Sequence, residues 1–397
     1  MPYSCRCRAI FAMGDLRFFV RAACLCYSLA SAFPSPHAFA VDADWVGQKV
    51  MLKETAKPKL GNRVLDWSAV RLPARITQAK DGWLCVETAW VRPAEVVLLA
   101  DAPAYFTTLL KSGKDNVLAY TLRGVTWHAR REYDNAIKDF SEAIKLEMGN
   151  SNFYTLRGTT YYMKHLYDAA LADFNEAIRL DPTNLGACNN RGCTFKEMGE
   201  YHKAEQQFNE VLRAAPNNAL AYANRGFNWF MQDELDKALA DLNRSLQIDP
   251  RQSVAHANRG RVYMKRGDYP EAMADYDRAI AIDPDEWNAY NGRARILATS
   301  PEFEFHLRDG KQAVDLAKKA CELSFWSEWS CVATLAAAYA EAGDFEAAVK
   351  WQKKAIEMSR PAEEREQREN EHRLELYEAG KPFYDEVKLV EERKDQG

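Results

Sequence analysis

Charge of one sign is in short supply in this chain of 397 residues: 53 basic and 57 acidic side chains leave a formal net charge of −4. So even a balance sets up no broad field for a polyanion and speaks against a nucleic acid partner. Catalytic motifs are missing as well. No Gly-rich phosphate loop follows a strand, and no Gly-x-Ser-x-Gly occurs. The histidines do not cluster, and no Cys-x-x-Cys or other metal-ligand spacing is present. These absences predict a non-enzymatic protein with no catalytic residues, no metal and no cofactor. Of nine cysteines, Cys5, Cys7, Cys24 and Cys26 fall in the first forty residues, leaving Cys85, Cys188, Cys193, Cys321 and Cys331. An odd set in a chain this long is no disulfide framework. Buried free thiols are the expectation, with a meeting of Cys321 and Cys331 left open.

What is present is repetition. Six tandem copies of a 34-residue pattern run from Val117 to about Leu323, starting near 117, 151, 185, 219, 253 and 287, and a seventh spans Trp329–Met358. A small residue occupies the eighth place of each: Gly124, Gly158, Gly192, Gly226, Gly260, Ala294 and Ala336. A large residue sits three places on, from Trp127 and Tyr161 to Tyr339. Alanine holds the twentieth place, from Ala136 to Ala272 and again at Ala348; in copy six it is displaced to Ala313 by about seven extra residues around Glu302–Leu307. Apolar residues spaced i, i+3, i+4, i+7 predict two amphipathic helices per copy. The small residues let the two backbones approach, and Pro182, Pro216, Pro250 and Pro284 close four copies. One pair cannot bury its apolar face; stacked pairs can.

These columns resemble the tetratricopeptide repeat over roughly 240 residues. The resemblance implies a mainly α fold, a right-handed α-solenoid of antiparallel helix pairs over 117–358, with a groove lined by the first helix of each pair and a protein or peptide as its ligand. The second, fifth, ninth, twelfth and thirteenth places of the first helix would face that groove. The candidate peptide-binding residues at these places are Val125, Tyr162, Phe227, Phe230, Met231, Arg261, Met264 and Arg295. An apolar anchor followed by acidic residues would suit copies four to six, with Phe227, Phe230 and Met264 taking the anchor and Arg261 and Arg295 the carboxylates. Thr121 and Val125 stand where relatives that hold a chaperone's C-terminal carboxylate carry Lys and Asn, which argues against that ligand.

Arginine fills the seventh place of six successive copies: Arg123, Arg157, Arg191, Arg225, Arg259 and Arg293. Aspartate fills the twenty-third in four: Asp139, Asp173, Asp241 and Asp275. Both columns lie near the packing surface, where a lone charge is costly, so the favoured reading is structural pairing.

Residues 1–40 read as a signal peptide. Arg6, Arg8, Arg17 and Arg21 precede the apolar run Ala22–Phe33, about twelve residues long and too short to span a bilayer well. Ala38-Phe39-Ala40 supplies a small-x-small cleavage pattern, so export with cleavage near Ala40 is expected. Residues 41–103 carry short β-type runs: Gln48–Glu54, Ala74–Gln78, Trp83–Glu87 and Val91–Leu99, with Asp81-Gly82 as a hairpin turn. Gly82–Val86 followed by Trp90–Val97 resembles bacterial SH3-like barrels, which implies a small all-β module and a cell-wall ligand or peptide, with Trp67, Trp83 and Trp90 as candidate binding aromatics or core residues. A linking helix is expected over 104–116, starting from the run Ala102–Leu110, and a charged capping helix from Pro361 to about Glu378 within 359–397. Three roles fit this layout: an exported scaffold binding partners in the groove, a wall-associated module using the repeats as a spacer, or an accessory subunit of an envelope enzyme.

Overall fold

The computed structural model describes residues 46–385 except 54–55, 61–62, 65–71, 81–82, 87–88, 114–115, 302–306 and 360–363. The expected leader, Trp67, the Asp81-Gly82 turn, most of the Glu302–Leu307 insertion and the Pro361 start of the last helix lie outside the described residues. The chain divides into two compact units with the boundary between Thr194 and Phe195.

Among the described residues the first unit opens with seven short strands: β1 (Lys49–Leu52), β2 (Lys59–Leu60), β3 (Arg63–Val64), β4 (Ala74–Lys80), β5 (Trp83–Val86), β6 (Ala89–Val91) and β7 (Val96–Leu98). They form one sheet in the order β3-β2-β6-β5-β4-β1-β7, every neighbouring pair antiparallel. β1 shows what alternation does. Val50 and Leu52 enter the sheet's own core with Ile76, Leu84, Val86 and Val91, while Met51 faces the other way and packs with Phe106 and Leu122 of the helices that follow. The sheet and the first repeat therefore share apolar contacts. The run Val91–Leu99, read as one strand, is broken by a 3-10 turn at Pro93–Glu95. Pro93 has no N–H for a ladder, and the Glu95 carboxylate takes the Arg92 N–H at 2.7 Å and the Lys57 N–H at 3.1 Å. β2 and β3 were too short and too polar to be read from the sequence.

α1 (Ala102–Ser112) leads into helix pairs: α2 (Val117–Ala129) with α3 (Tyr133–Leu146), α4 (Ser151–Met163) with α5 (Tyr167–Leu180), and α6 (Leu185–Glu197), which holds the unit boundary. The second unit continues with α7 (Tyr201–Ala214), α8 (Ala219–Met231), α9 (Leu235–Ile248), α10 (Ser253–Arg266), α11 (Tyr269–Ile282), α12 (Trp287–Thr299), α13 (Gly310–Leu323), α14 (Trp329–Glu341), α15 (Phe345–Met358) and α16 (Glu364–Glu378). Asparagine caps recur: Asn116 Oδ1 accepts from the Ala119 N–H and Asn218 Oδ1 from the Ala221 N–H, each satisfying an N-terminal donor. Among the described residues no helix is long and apolar enough to cross a bilayer.

The two helices of a pair are joined by one left-handed residue at the fifteenth place: Arg131, His165, Gly199, Asp233 and Gly267 all have φ between 61° and 86°. The fifteenth place of copy six is Pro301, whose ring holds φ near −65°. That turn cannot form there, which is why α13 begins nine residues further on, at Gly310. The pair still closes: Ala313 and Ala317 are fully buried beside Leu297 and Ala298. Cys85, Cys188, Cys193, Cys321 and Cys331 are buried free thiols, and burial pushes the Cys321 thiol up to about 12.

Candidate functional site

The seventh-place arginines settle as structural clamps. Arg123, Arg157, Arg225 and Arg259 each form two hydrogen bonds of 2.7–2.8 Å with the aspartate sixteen residues on, in the second helix of the same copy. A further column, at the twenty-fifth place, was not recognised in the sequence. The third guanidinium nitrogen, Nη1, reaches back sixteen residues, to Thr107, Ser141, Asn209 and Asn243 respectively. Arg191 meets Asn175 and Arg293 meets Asp277 in the same way. One planar fork thus ties a first helix to the second helix of its own copy and to the element before it. The hydrogen bonds to Asp139 hold the Arg123 guanidinium above its ordinary value against the pull of burial. Burial would raise the Asp275 carboxyl, but bonds from Arg259 and from His256 Nδ1, 2.9 Å away, hold it below the usual range.

With that column accounted for, the candidate surface is the first-helix places named above. Val125 is a core residue, 2% exposed beside Phe106, Leu122 and Phe140. Tyr162 is buried, its ring 5.8 Å from that of Tyr167. In the second unit, Phe227 and Phe230 stack on α8 with centroids 5.6 Å apart, and both are nearly buried. Arg261 lies over both rings, at 4.9 and 5.1 Å. Lys196 lies 4.5 Å from the Phe227 centroid, and Lys265 5.3 Å from that of Phe230. The structure therefore joins Phe227, Phe230 and Arg261 in one cluster, with Met231 packed against the same apolar core. The rings face cations rather than open solvent, which differs from a bare apolar pocket. Met264 packs in a different core, its sulfur 4.0 Å from the Tyr276 hydroxyl.

Arg295 is engaged by a later segment of the chain itself: Arg295 Nη2 donates to Asp385 Oδ1 at 2.9 Å. Two participants were overlooked in the sequence although they obey its place rule. Lys265 and Thr299 both hold the thirteenth place of their copies. Lys265 pairs with Asp233 at 2.7 Å, and Thr299 Oγ1 donates to Asp385 Oδ2 at 2.7 Å. Lys196 pairs with Glu197 at 3.2 Å. The arrangement is a row of cations within the second unit, Lys196 at the end of α6, Arg261 and Lys265 on α10 and Arg295 on α12, in part resting on the aromatic faces of α8. Such groups recognise carboxylates, and guanidinium over a ring keeps its charge while shedding water. Among the described residues no group of three or more His, Cys, Asp or Glu side chains is placed to hold a metal ion.

In the sheet, Trp83 and Trp90 lie outside the buried cluster. The Arg92 guanidinium sits 4.0 Å from the Trp83 centroid and Lys59 Nζ 5.2 Å away.

Comparison with solved structures places the fold. The APC/C hetero-tetramer Cut9–Hcn1 matches with a TM-score of 0.56 at 16% identity, over 70% of this chain and 52% of that one. Yeast Tom70 matches at 0.48 and 15% identity, over 71% and 59%, and a tetratricopeptide repeat protein from Parabacteroides merdae at 0.46 and 20%, over 67% and 100%. The chain spans about half the length of the Cut9–Hcn1 chain it matches. Among curated proteins no significant match is found. Family models described as tetratricopeptide repeat match residues 99–152, 151–184, 189–253, 253–286 and 330–360, together more than half of the chain. With these matches, the small-residue columns and the paired helices in agreement, the chain belongs to the tetratricopeptide repeat family, a scaffold for protein interaction.

Proposed function

We propose that this protein is an exported, non-enzymatic adaptor that holds an extended acidic segment of a partner protein on the first-helix faces of copies four to six. The observation that carries the reading is the Arg261 guanidinium over the stacked Phe227 and Phe230 rings, flanked by Lys196 and Lys265. In a chain with a net charge of −4, cations gathered along one set of helix places are a local feature, not a by-product of composition. Because the rings are covered, the partner's carboxylates meet the surface first and its apolar side chains add contact at Met231 and Met264. Interface anchors of this kind carry more than about 1 kcal/mol each when truncated. A Phe230→Ala/Arg261→Ala double variant is expected to keep its helical circular dichroism and lose partners recovered from an envelope extract. A folded double variant that recovers the same partners at the same salt would remove this surface from consideration.

Export rests on the leader pattern of residues 1–40. The mature protein recovered from its source should have a mass corresponding to cleavage near Ala40, and an intact N-terminus there would sink the idea. A second reading takes residues 41–103 as an SH3-like module that binds a cell-wall ligand. It is favoured by Trp83 and Trp90 lying outside the sheet core, with Trp83 already stacked by Arg92. Because Met51 packs on the helices, the test belongs in the full chain: Trp83→Ala/Trp90→Ala should abolish retention on isolated cell wall if this reading holds, and leave it unchanged if the repeats alone make the contacts.

A further inference from the structure

After α16 the chain turns at Gly380, φ 68°, and runs back along the fold as Lys381–Asp385. Three successive residues of this segment each meet an arginine. Phe383 lies under the Arg373 guanidinium at 4.4 Å, Tyr384 under Arg308 at 4.1 Å, and Asp385 takes Arg295 Nη2 at 2.9 Å. Asp385 is further held by the Thr299 hydroxyl, and its own N–H donates to Thr299 O at 2.9 Å. Burial alone would raise the Asp385 carboxyl; the Arg295 charge and these hydrogen bonds hold it below the usual range.

Two features mark the contact as a docking arrangement rather than a cap. The first is its place. Arg295 and Thr299 hold the ninth and thirteenth places of copy six, the same places as Arg261 and Lys265 in copy five. The second is its make-up. α16 is already anchored without the segment: Tyr377 is 1% exposed within the apolar core, and Gln352 Nε2 donates to Asn370 O and Oδ1. The segment itself adds ionic, cation–π and single backbone contacts, its apolar share being Phe383 at the edge of that core, and Tyr384 stays 38% exposed. In the same cluster Arg373 Nε and Tyr377 Oη are buried with no hydrogen-bond partner among the described residues.

We infer that the copy-six face around Arg295, Thr299 and Arg373 is a recognition site for an aromatic–aromatic–acidic segment of a partner protein, and that Phe383-Tyr384-Asp385 occupies it in cis as a competitor. The inference rests on the first-helix faces being the binding surface, and it names the ligand chemistry there. An internal occupant lowers apparent affinity by the fraction of time the site is open, so a site filled nine-tenths of the time binds about ten-fold more weakly.

The probe is a fluorescein-labelled peptide amide, Lys-Pro-Phe-Tyr-Asp, titrated by polarisation against the full chain. A Tyr384→Ala/Asp385→Asn variant should bind it about ten-fold more tightly than the unaltered chain, with a near-unchanged melting temperature. Adding Arg295→Ala should cancel the gain. Equal affinity in both chains, or a lower melting temperature with no gain in affinity, would show the segment to be a structural clamp and overturn the inference. So would a peptide that binds neither chain. If that failure occurs while Phe230→Ala/Arg261→Ala still loses partners, only the copy-six site falls. If the peptide competes as expected while that double variant keeps its partners, the copy-six site stands and the copy-four and copy-five surface falls.

Discussion

A single arginine fork decides much of the local energetics. Asp241 accepts two bonds from Arg225 while Arg225 Nη1 also holds Asn209 at 2.6 Å. Removing the carboxylate strands a half-buried guanidinium. Asp241→Ala is expected to cost about 3 kcal/mol, the low end for a broken buried pair because Arg225 keeps some exposure. Urea unfolding measures this; full stability together with altered anion binding would show the arginine to belong to a binding site instead. His128 gives a second residue-scale test. Burial pushes its pKa down to about 4, and its Nδ1 lies 3.0 Å from Thr160 Oγ1. A free histidine titrates near pH 6.5. Between about 6.5 and 4 the unfolded chain therefore takes up a proton that the folded chain refuses. The contribution of neutral His128 is complete above that window and is lost as pH falls through it. Roughly 1–2 kcal/mol should disappear between about pH 7 and 5, and His128→Gln should flatten that slope. An identical slope in the variant would show that other groups set it. The arginine and aspartate columns were legible because like residues recur every 34 positions. The twenty-fifth-place column was not, because Ser141, Asn175, Asn209, Asn243 and Asp277 share only the ability to accept a hydrogen bond.

At the scale of helices, the pair geometry rests on the eighth place. A Cβ built on Gly226 would meet Leu242 Cγ at 2.9 Å, Ala238 O at 3.1 Å and Asp241 Cβ at 3.2 Å. The first could yield by rotamer change, but the backbone oxygen cannot. Gly226→Leu should therefore force α8 and α9 apart and destabilise by at least the 1–3 kcal/mol typical of overpacking. Unchanged thermal unfolding would contradict the tight pairing. This much was readable from one repeated small residue. Other features of elements were hidden for identifiable reasons. The 3-10 turn at Pro93–Glu95 depends on a carboxylate reaching its own strand's N–H groups. Phe227 and Phe230 are buried in an apolar cluster and further covered by cations from neighbouring helices, so the place rule found the residues without revealing what covers them. Asp385 docks on a helix ninety residues earlier in the chain, a pairing no local pattern announces.

Taken as a whole molecule, the chain sets a weak overall negative charge against a cationic row within its second unit. A net charge of −4 over 397 residues gives little long-range attraction for anions, and at about 0.15 M salt fields fade within roughly 8 Å. Three cations on the row also have an acidic neighbour: Lys265 has Asp233, Lys196 has Glu197, and Arg295 has Asp385. Such a surface distinguishes ligands by geometry and not by charge density. A sulfated polysaccharide such as heparin offers many charges and no aromatic groups; an acidic peptide segment offers few, placed along an extended backbone. The protein should accordingly pass through a heparin column at about 0.15 M salt, while the tail-released Tyr384→Ala/Asp385→Asn chain should still bind the aromatic–acidic peptide at that salt. Retention on heparin until high salt would mean that the positive side chains act as a continuous field. The first-helix faces would then be a general anion surface, and the pairing of aromatic rings with arginines would be a feature of packing alone.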